Sequence, residues 1–438
     1  MTTSEWGFDT LQVHAGAAPD PANGARATPI FATTSYVFDS VDQAAASFRL
    51  DDLEQHAYSR LSNPTSVVAE QRIAALEHGS AAVAVSSGQA ATTLALLNLL
   101  RSGDHVVASD RVYGGTVLLL RERFAELGID TTFVSDVNDP AEWRRATRPN
   151  TRAFFAESIG NPTGVVLDIE TVAQVAHEHA RVPLIVDNTL ATPYLVRPLD
   201  HGADIVVHST TKFLSGHGTA IGGVVVDGAS FDFGAEPRRW PGFHTADPSH
   251  GEVGYWERFA KLGLAYALRL RTTVLRGYGP APSPFNSFLL LQGLETLSLR
   301  VRQHVANAQA VAEFLDRHPQ VTQVHYPGLD TSPHAALARR YLPRGAGAVV
   351  SFELAAGLAR GRRFVEAVRL FSHLANIGDV RSLIIHPAST VSANLTEEQL
   401  RAGGIGPGLI RLSVGIEDVD DLLADLERGF EAVTTHVS

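Results

Sequence analysis

Between residues 81 and 208 short apolar runs alternate with helical patterns, and this alternation constrains the fold more than any other feature of the chain. AAVAV (81–85), HVVAS (105–109), TTFVS (131–135), RAFFAES (152–158), PLIVD (183–187) and Ile205-Val206-Val207 read as strands. TTLALLNLLRSG, TVLLLRERFAELG and IETVAQVAHEHA, which lie between them, read as helices. A helix between two strands returns the chain in its original direction. The pattern therefore implies an α/β fold with a mostly parallel sheet and helices on both faces. Ligands of such sheets bind at the carboxyl ends of the strands, so the residues that follow each run are the informative ones.

The run at 205–207 ends in Ser209, Thr210, Thr211 and Lys212, and then in Gly216, Gly218, Gly222 and Gly223. Of 36 basic residues only Lys212 and Lys261 are lysines. Arginine stays protonated and forms no imine, whereas a desolvated lysine can lose its proton and attack a carbonyl. Lys212 thus reads as a Schiff-base lysine, set against the plainer alternative of a lysine snorkelling at a strand end. Lys261, in ERFAKLGLAYALRL, reads as a solvated helix residue.

Four other strand ends carry chemistry. After Val85, Ser86-Ser87-Gly88-Gln89 opens a helix, whose backbone N–H groups and dipole favour an anion. Tyr113, before Gly114 and Gly115, is placed either to stack on a flat ring or simply to cap a helix. Glu157 and Asn161 lie in ESIGNPTG. Asp187, in DNT with Thr189, closes an apolar run where an unpaired carboxylate is costly, and a pyridinium N–H would relieve that cost. An anion nest, a stacking aromatic, a carboxylate and an imine lysine together suit pyridoxal 5'-phosphate. In this reading its phosphate lies on Ser87, Gly88 and Gln89 with Ser209 and Thr211, its ring by Tyr113, its nitrogen on Asp187 and its aldehyde on Lys212. Upstream, Tyr58 and Arg60 in YSRLSNPTS read as phosphate contacts or as ordinary loop polarity.

Composition narrows the class. A net charge of −11 argues against nucleic acid as a general partner. No run approaches the roughly twenty apolar residues of a membrane helix, and MTTSEWGFDTLQVHAG lacks the features of a signal peptide. With no cysteine there is no disulfide and no thiolate metal site. His208, His217 and His386 lie in glycine or proline turns without zinc spacing and read as structural, so no metal is expected. A cytoplasmic enzyme is the expectation. The chain divides into an extended arm (1–60), a large cofactor domain (61–285) and a smaller α+β domain (286–438).

YSRLSNPT, SSGQAAT, ESIGNP, DNT and HSTTKF, in this order, resemble the Cys/Met-metabolism family of pyridoxal-phosphate enzymes. The resemblance implies a fold-type I transferase. It also implies a homotetramer, a dimer of dimers, in which Tyr58 and Arg60 reach the phosphate of a neighbouring subunit. GDVRSLIIHPAST and RLSVGIED resemble the substrate-binding elements of the family. Arg411 would then hold the α-carboxylate of the substrate, with Asn161 and Ser382 nearby. The aromatic insertion at 227–283 resembles the sulfhydrylase branch, which implies a γ-replacement that turns O-acetyl-L-homoserine and sulfide into L-homocysteine and acetate. A cystathionine γ-synthase, a γ-lyase and a non-catalytic cofactor-binding protein are the alternatives. The insertion reads as a lid or as an oligomer contact. Two positions depart from the branch: Ser392 stands where a histidine is usual and Arg381 where a lysine is usual.

Overall fold

A computed structural model describes residues 6–248, 250, 254–355, 357–394 and 396–434. Seven strands form the main sheet: β1 (Ala81–Val85), β2 (His105–Ser109), β3 (Asp130–Val134), β4 (Thr151–Glu157), β5 (Leu184–Asp187), β6 (Ile205–His208) and β7 (Gly223–Asp227). Their order is β1-β7-β6-β5-β4-β2-β3, and only β7 pairs antiparallel to its neighbours. β7 is not among the strands read from the sequence. Residues 209–222 connect it to β6 without a helix, so the chain turns back instead of crossing over.

Alternate residues of each strand face different cores. Val107, Phe154, Ala156, Val186, Val206 and Val226 pack on one side, and Val106, Ala153, Phe155, Ile185, Val207 and Val225 on the other. Burial on both faces explains why these strands read as unbroken apolar runs rather than as alternating patterns. The polar groups of the sheet are thereby confined to its ends.

A second sheet, in the order β10-β11-β12-β9-β8, is built from β8 (Val321–His325), β9 (Val349–Leu354), β10 (Ser372–His373), β11 (Leu383–Ile385) and β12 (Leu409–Ser413). Only β10–β11 is a parallel pair. Two helices, Pro284–Leu294 and Leu297–Arg317, follow the main sheet. The second helix serves both cores. Leu297 and Val301 pack with the main sheet, while Ala308, Val311, Ala312 and Leu315 pack with the second.

Within the stretch read as an extended arm, Phe8–His14 and Val41–Phe48 are helical. Phe8 and Leu11, three residues apart, lie on one helix face and enter the main core.

Part of the insertion is firmly packed. Phe233 stacks on Phe243 with ring centroids 4.2 Å apart and meets Trp240 edge-on at 5.2 Å. All three are buried in the core that also holds Tyr266. Arg239 donates to the carbonyl of Thr151, the first residue of β4, at 2.8 Å. The last residue of β4 is Glu157, so residues 231–243 lie about 20 Å along the strand direction from the carboxyl ends. They do not form a lid over those ends, because the aromatic cluster anchors them at the opposite edge. Phe233→Ala should cost about 3–5 kcal/mol, read as a lowered denaturation midpoint.

Candidate active site

The carboxyl ends of β1, β2, β4, β5 and β6 converge on one edge, and each delivers one group. Ser87 caps the helix Gly88–Leu97, its hydroxyl accepting from Ala90 N at 3.1 Å. Ala91 N bonds Ser87 O at 3.0 Å. Among the described residues the N–H groups of Gly88 and Gln89 have no partner, and neither has the hydroxyl of Ser209. A Cβ on Gly88 would fall 2.5 Å from the Cβ of Ser209, so only glycine lets these segments approach. The result is a cradle of two backbone donors and a hydroxyl at a positively polarised helix start, suited to a phosphate. Thr211 is engaged elsewhere. Its hydroxyl accepts from Gly222 N at 3.1 Å and donates to Gly222 O at 3.2 Å, which closes the loop that carries Lys212.

Glu157 and Asp187 are register partners on the adjacent parallel strands β4 and β5. Asp187 Oδ1 accepts from Thr189 N at 2.9 Å, and the Thr189 hydroxyl accepts from Ser209 N at 2.8 Å. Burial pushes the Asp187 carboxyl up, opposed by the hydrogen bonds from Thr189 and by the charge of His208. Glu157 is pushed well above the usual carboxylate range, first by burial and then by Asp187. Its Oε1 accepts from Tyr113 N at 2.6 Å, and its buried Oε2 has no partner. Neither carboxylate forms an ion pair with an arginine or lysine among the described residues. Two facing carboxyl groups hold one proton more easily than none. The bonds from Thr189 favour Asp187 as the ionised member.

Behind this pair, His208 Nε2 lies 2.6 Å from Glu77 Oε1, with both side chains fully buried. Asn188 donates to the same oxygen at 2.9 Å. His217 Nδ1 lies 2.6 Å from Ser215 O, and His386 lies 2.8 Å from Ser389 Oγ and 3.0 Å from Pro407 O.

Lys212 stands in the loop after β6, and its Nζ donates to Asn376 Oδ1. Burial, and then the charge of Arg411, push its amine down to about 8. Gly378 (φ +75°) lies so close that a Cβ there would sit 2.6 Å from Phe213 N and 3.0 Å from the carbonyl carbon of Lys212. Arg411, at the centre of β12, donates to Asn161 Oδ1 and to Asn376 O, both at 3.2 Å. Burial lowers it only to about 10, so it stays charged at neutral pH. Lys212, Asn161, Asn376 and Arg411 therefore meet, with residues from both sheets.

Tyr113 precedes the helix Gly114–Leu118, with its ring half exposed. A Cβ on Gly115 would strike that ring at 2.4 Å and the Gln89 amide at 3.0 Å, which places Tyr113 and Gln89 together.

Other sequence candidates lie apart from this cluster. The Ser382 hydroxyl donates to Glu417 Oε2 at 3.0 Å and accepts from Gly415 N at 2.8 Å. Tyr58 and Arg60 are exposed on the chain before helix Pro64–Glu77, the Arg60 guanidinium 5.4 Å from the Tyr58 ring centroid. Ser392 is buried in a turn, its N–H donating to Pro387 O at 3.0 Å. Arg381 pairs with Asp379 at 2.9 Å. Asn376, the residue that joins Lys212 to Arg411, has no sequence signal of its own; Gly378 beside it is the one mark of a close approach. Glu157 appears in the sequence only as a strand end, and its pairing with Asp187 emerges once the strands are in register.

The donor set tests the expected cofactor. A cradle of two backbone donors and a hydroxyl, a buried carboxylate at a strand end and a lysine amine of lowered basicity follow the carboxyl ends of neighbouring strands, and this donor set fits pyridoxal phosphate. The profile of the Cys/Met metabolism PLP-dependent enzymes matches residues 9–431. The O-acetyl-L-homoserine sulfhydrylase of Leptospira meyeri is 49% identical over 97% of this chain and 97% of its own. The homocysteine synthase of Schizosaccharomyces pombe is 48% identical over 97% and 98%. A crystal structure of a putative O-acetylhomoserine (thiol)-lyase from Campylobacter jejuni superposes with a TM-score of 0.92 at 40% identity, covering 97% of this chain and 100% of that one, and contains a pyridoxyl-lysine monophosphate. A profile match and relatives that run along almost its whole length show that the chain belongs to the Cys/Met-metabolism family of pyridoxal-phosphate-dependent enzymes.

Proposed function

We propose that this enzyme converts O-acetyl-L-homoserine and sulfide to L-homocysteine and acetate. The observation that carries the reading is the meeting of Lys212 and Arg411 on Asn376, in a chain similar along its length to sulfhydrylases. Gly88, Gln89 and Ser209 hold the cofactor phosphate, with Ser87 and Thr211 shaping the two segments, and Lys212 holds the aldehyde carbon. Asp187 holds a proton on the ring nitrogen, oriented by Thr189. When bound, the cofactor supplies an electron sink for charge developing at the substrate α-carbon.

Arg411 binds the substrate carboxylate as a planar donor fork, and Asn161 and Asn376 orient that fork. Ser382 acts one step back, where it holds Glu417 and Gly415 beneath β12. Lys212 Nζ is the base for the α-proton. Freed when the substrate amine takes its place, this amine near pKa 8 is partly neutral at physiological pH; once it has passed the α-proton on, it removes a proton from the β-carbon, which lets acetate leave from the γ-carbon and sulfide add there. Tyr113 closes over the ring and lies within the field of Arg411. Its backbone is held by Glu157.

Tyr58 and Arg60 do not touch this site within one chain. Their exposure supports a homotetramer whose paired subunits each lend these two residues to the phosphate of the neighbour.

Incubation with sulfide should give homocysteine from the acetyl ester at a higher kcat/KM than from the succinyl ester. Cystathionine formation from cysteine, or oxoacid release, as the main reaction would overturn the assignment. Lys212→Ala should lower turnover roughly 10³-fold or more. For the apoenzyme, raising the pH converts Lys212 to its neutral, cofactor-capturing form. The rate of cofactor uptake, followed by absorbance, should rise about tenfold from pH 7 to 9 and then level off. A rise continuing past pH 10 would mean that the lysine is not perturbed. Co-expression of Lys212→Ala and Arg60→Ala chains, each inactive alone, should restore roughly a quarter of wild-type activity if sites are shared across a two-fold interface.

A further inference from the structure

The insertion at 227–283 builds a second concavity that the reaction does not use. A cavity of about 170 Å³ opens beyond the amino ends of β2 and β4, and Arg101, Arg152, Arg238, Arg239 and Arg269 line it. Asp104 is the one carboxylate in that lining. In a chain of net charge −11, five guanidinium groups around so small a space call for an explanation.

Three of the five are fixed by the fold. Arg239 donates to Thr151 O and Ala180 O, both at 2.8 Å. Arg269 donates to Gly242 O at 2.8 Å and Asn98 Oδ1 at 2.6 Å. Arg152 bridges to Asp104 at 3.2 Å. Such carbonyl-capping roles account for their presence but not for their charge. Glu236, at the rim, reaches Arg181 at 3.2 Å and Arg239 at 3.7 Å and leaves the lining strongly positive. The buried Arg239 Nε has no partner. Arg101 and Arg238 are exposed and form no side-chain hydrogen bond or ion pair among the described residues. The arginines also press on one another: Arg152 and Arg181 depress the basicity of Arg239, and Arg101 that of Arg269.

We propose that this arginine-lined cavity is a binding site for a small tetrahedral oxyanion, inorganic phosphate or sulfate or the head of a small phosphate ester, with Arg101 and Arg238 closing on it over the fixed frame of Arg152, Arg239 and Arg269. The volume is below the range of drug-sized pockets, which excludes a nucleotide. Arginine forks match the oxygen geometry of such anions. The frame also touches the catalytic half of the sheet, because Arg269 grips Asn98 at the carboxyl end of helix Gly88–Leu97, whose amino end forms the phosphate cradle.

Titration calorimetry and thermal unfolding of the holoenzyme, in which the cofactor fills the cradle, test the site. Inorganic phosphate, sulfate and glycerol phosphate are compared with chloride at equal ionic strength. Saturable binding and a raised midpoint are expected with the oxyanions and not with chloride. A tenfold or greater loss of affinity is expected in the Arg101→Ala/Arg238→Ala double variant. Tighter binding of glycerol phosphate than of free phosphate would identify an ester as the source. If the double variant folds poorly, Arg238→Gln alone should still weaken binding severalfold. Arg411→Ala separates this site from the substrate pocket. Binding lost there but retained in the double variant would overturn the proposal, as would an effect of chloride equal to that of phosphate.

Discussion

The contact on which the rest of the structure depends is the crossing of residues 374–379 over the loop that carries Lys212. Asn376 accepts from Lys212 through its side chain and from Arg411 through its backbone carbonyl. Gly378 permits this because any Cβ there would strike the backbone at 212–213. One short segment therefore brings the amine of one sheet and the guanidinium of the other to a single point. It also buries the amine, and burial is what lowers its basicity. The chemistry of the lysine is thus a consequence of how closely two backbones approach, and not of the lysine alone.

The two carboxylates at the ends of β4 and β5 illustrate a related economy. Parallel strands in register place Glu157 beside Asp187, and among the described residues neither pairs with an arginine or lysine. Burial pushes both carboxyl groups up, and Asp187 pushes Glu157 up further, so the pair resists carrying two charges. Hydrogen bonds from Thr189 favour charge on Asp187, and Glu157 fixes the Tyr113 backbone. Residues of the same type thus acquire different duties from their neighbours.

Much of this was legible in the sequence because a parallel sheet buried on both faces writes itself as uninterrupted apolar runs. The six runs read as strands are strands, and the residues after them line one edge. Lys212 stood out because arginine serves almost everywhere else. Other features were not legible, for physical reasons. β7 is flanked by glycines that read as turns, and its direction depends on a connection without a helix. Asn376 acquires its position from tertiary contact alone. Ser382 sits in a recognisable motif, yet its hydroxyl is taken up by Glu417, a partner 35 residues away. The insertion reads in sequence as a lid or as an oligomer contact, and the stacking of Phe233 on Phe243 and Tyr266 instead puts its aromatic residues at 231–243 into the core.

The helix Leu297–Arg317 has a further consequence. Its 21 residues span about 31 Å, and its two halves are embedded in different cores. Rotating one core against the other would require bending an unbroken rod. The separation between the Arg411 guanidinium and the Lys212 amine is therefore preset, like the jaws of a locked caliper. In the proposed reaction such an instrument would gauge the head of an amino acid and ignore its tail, leaving the choice among side chains to the surrounding loops.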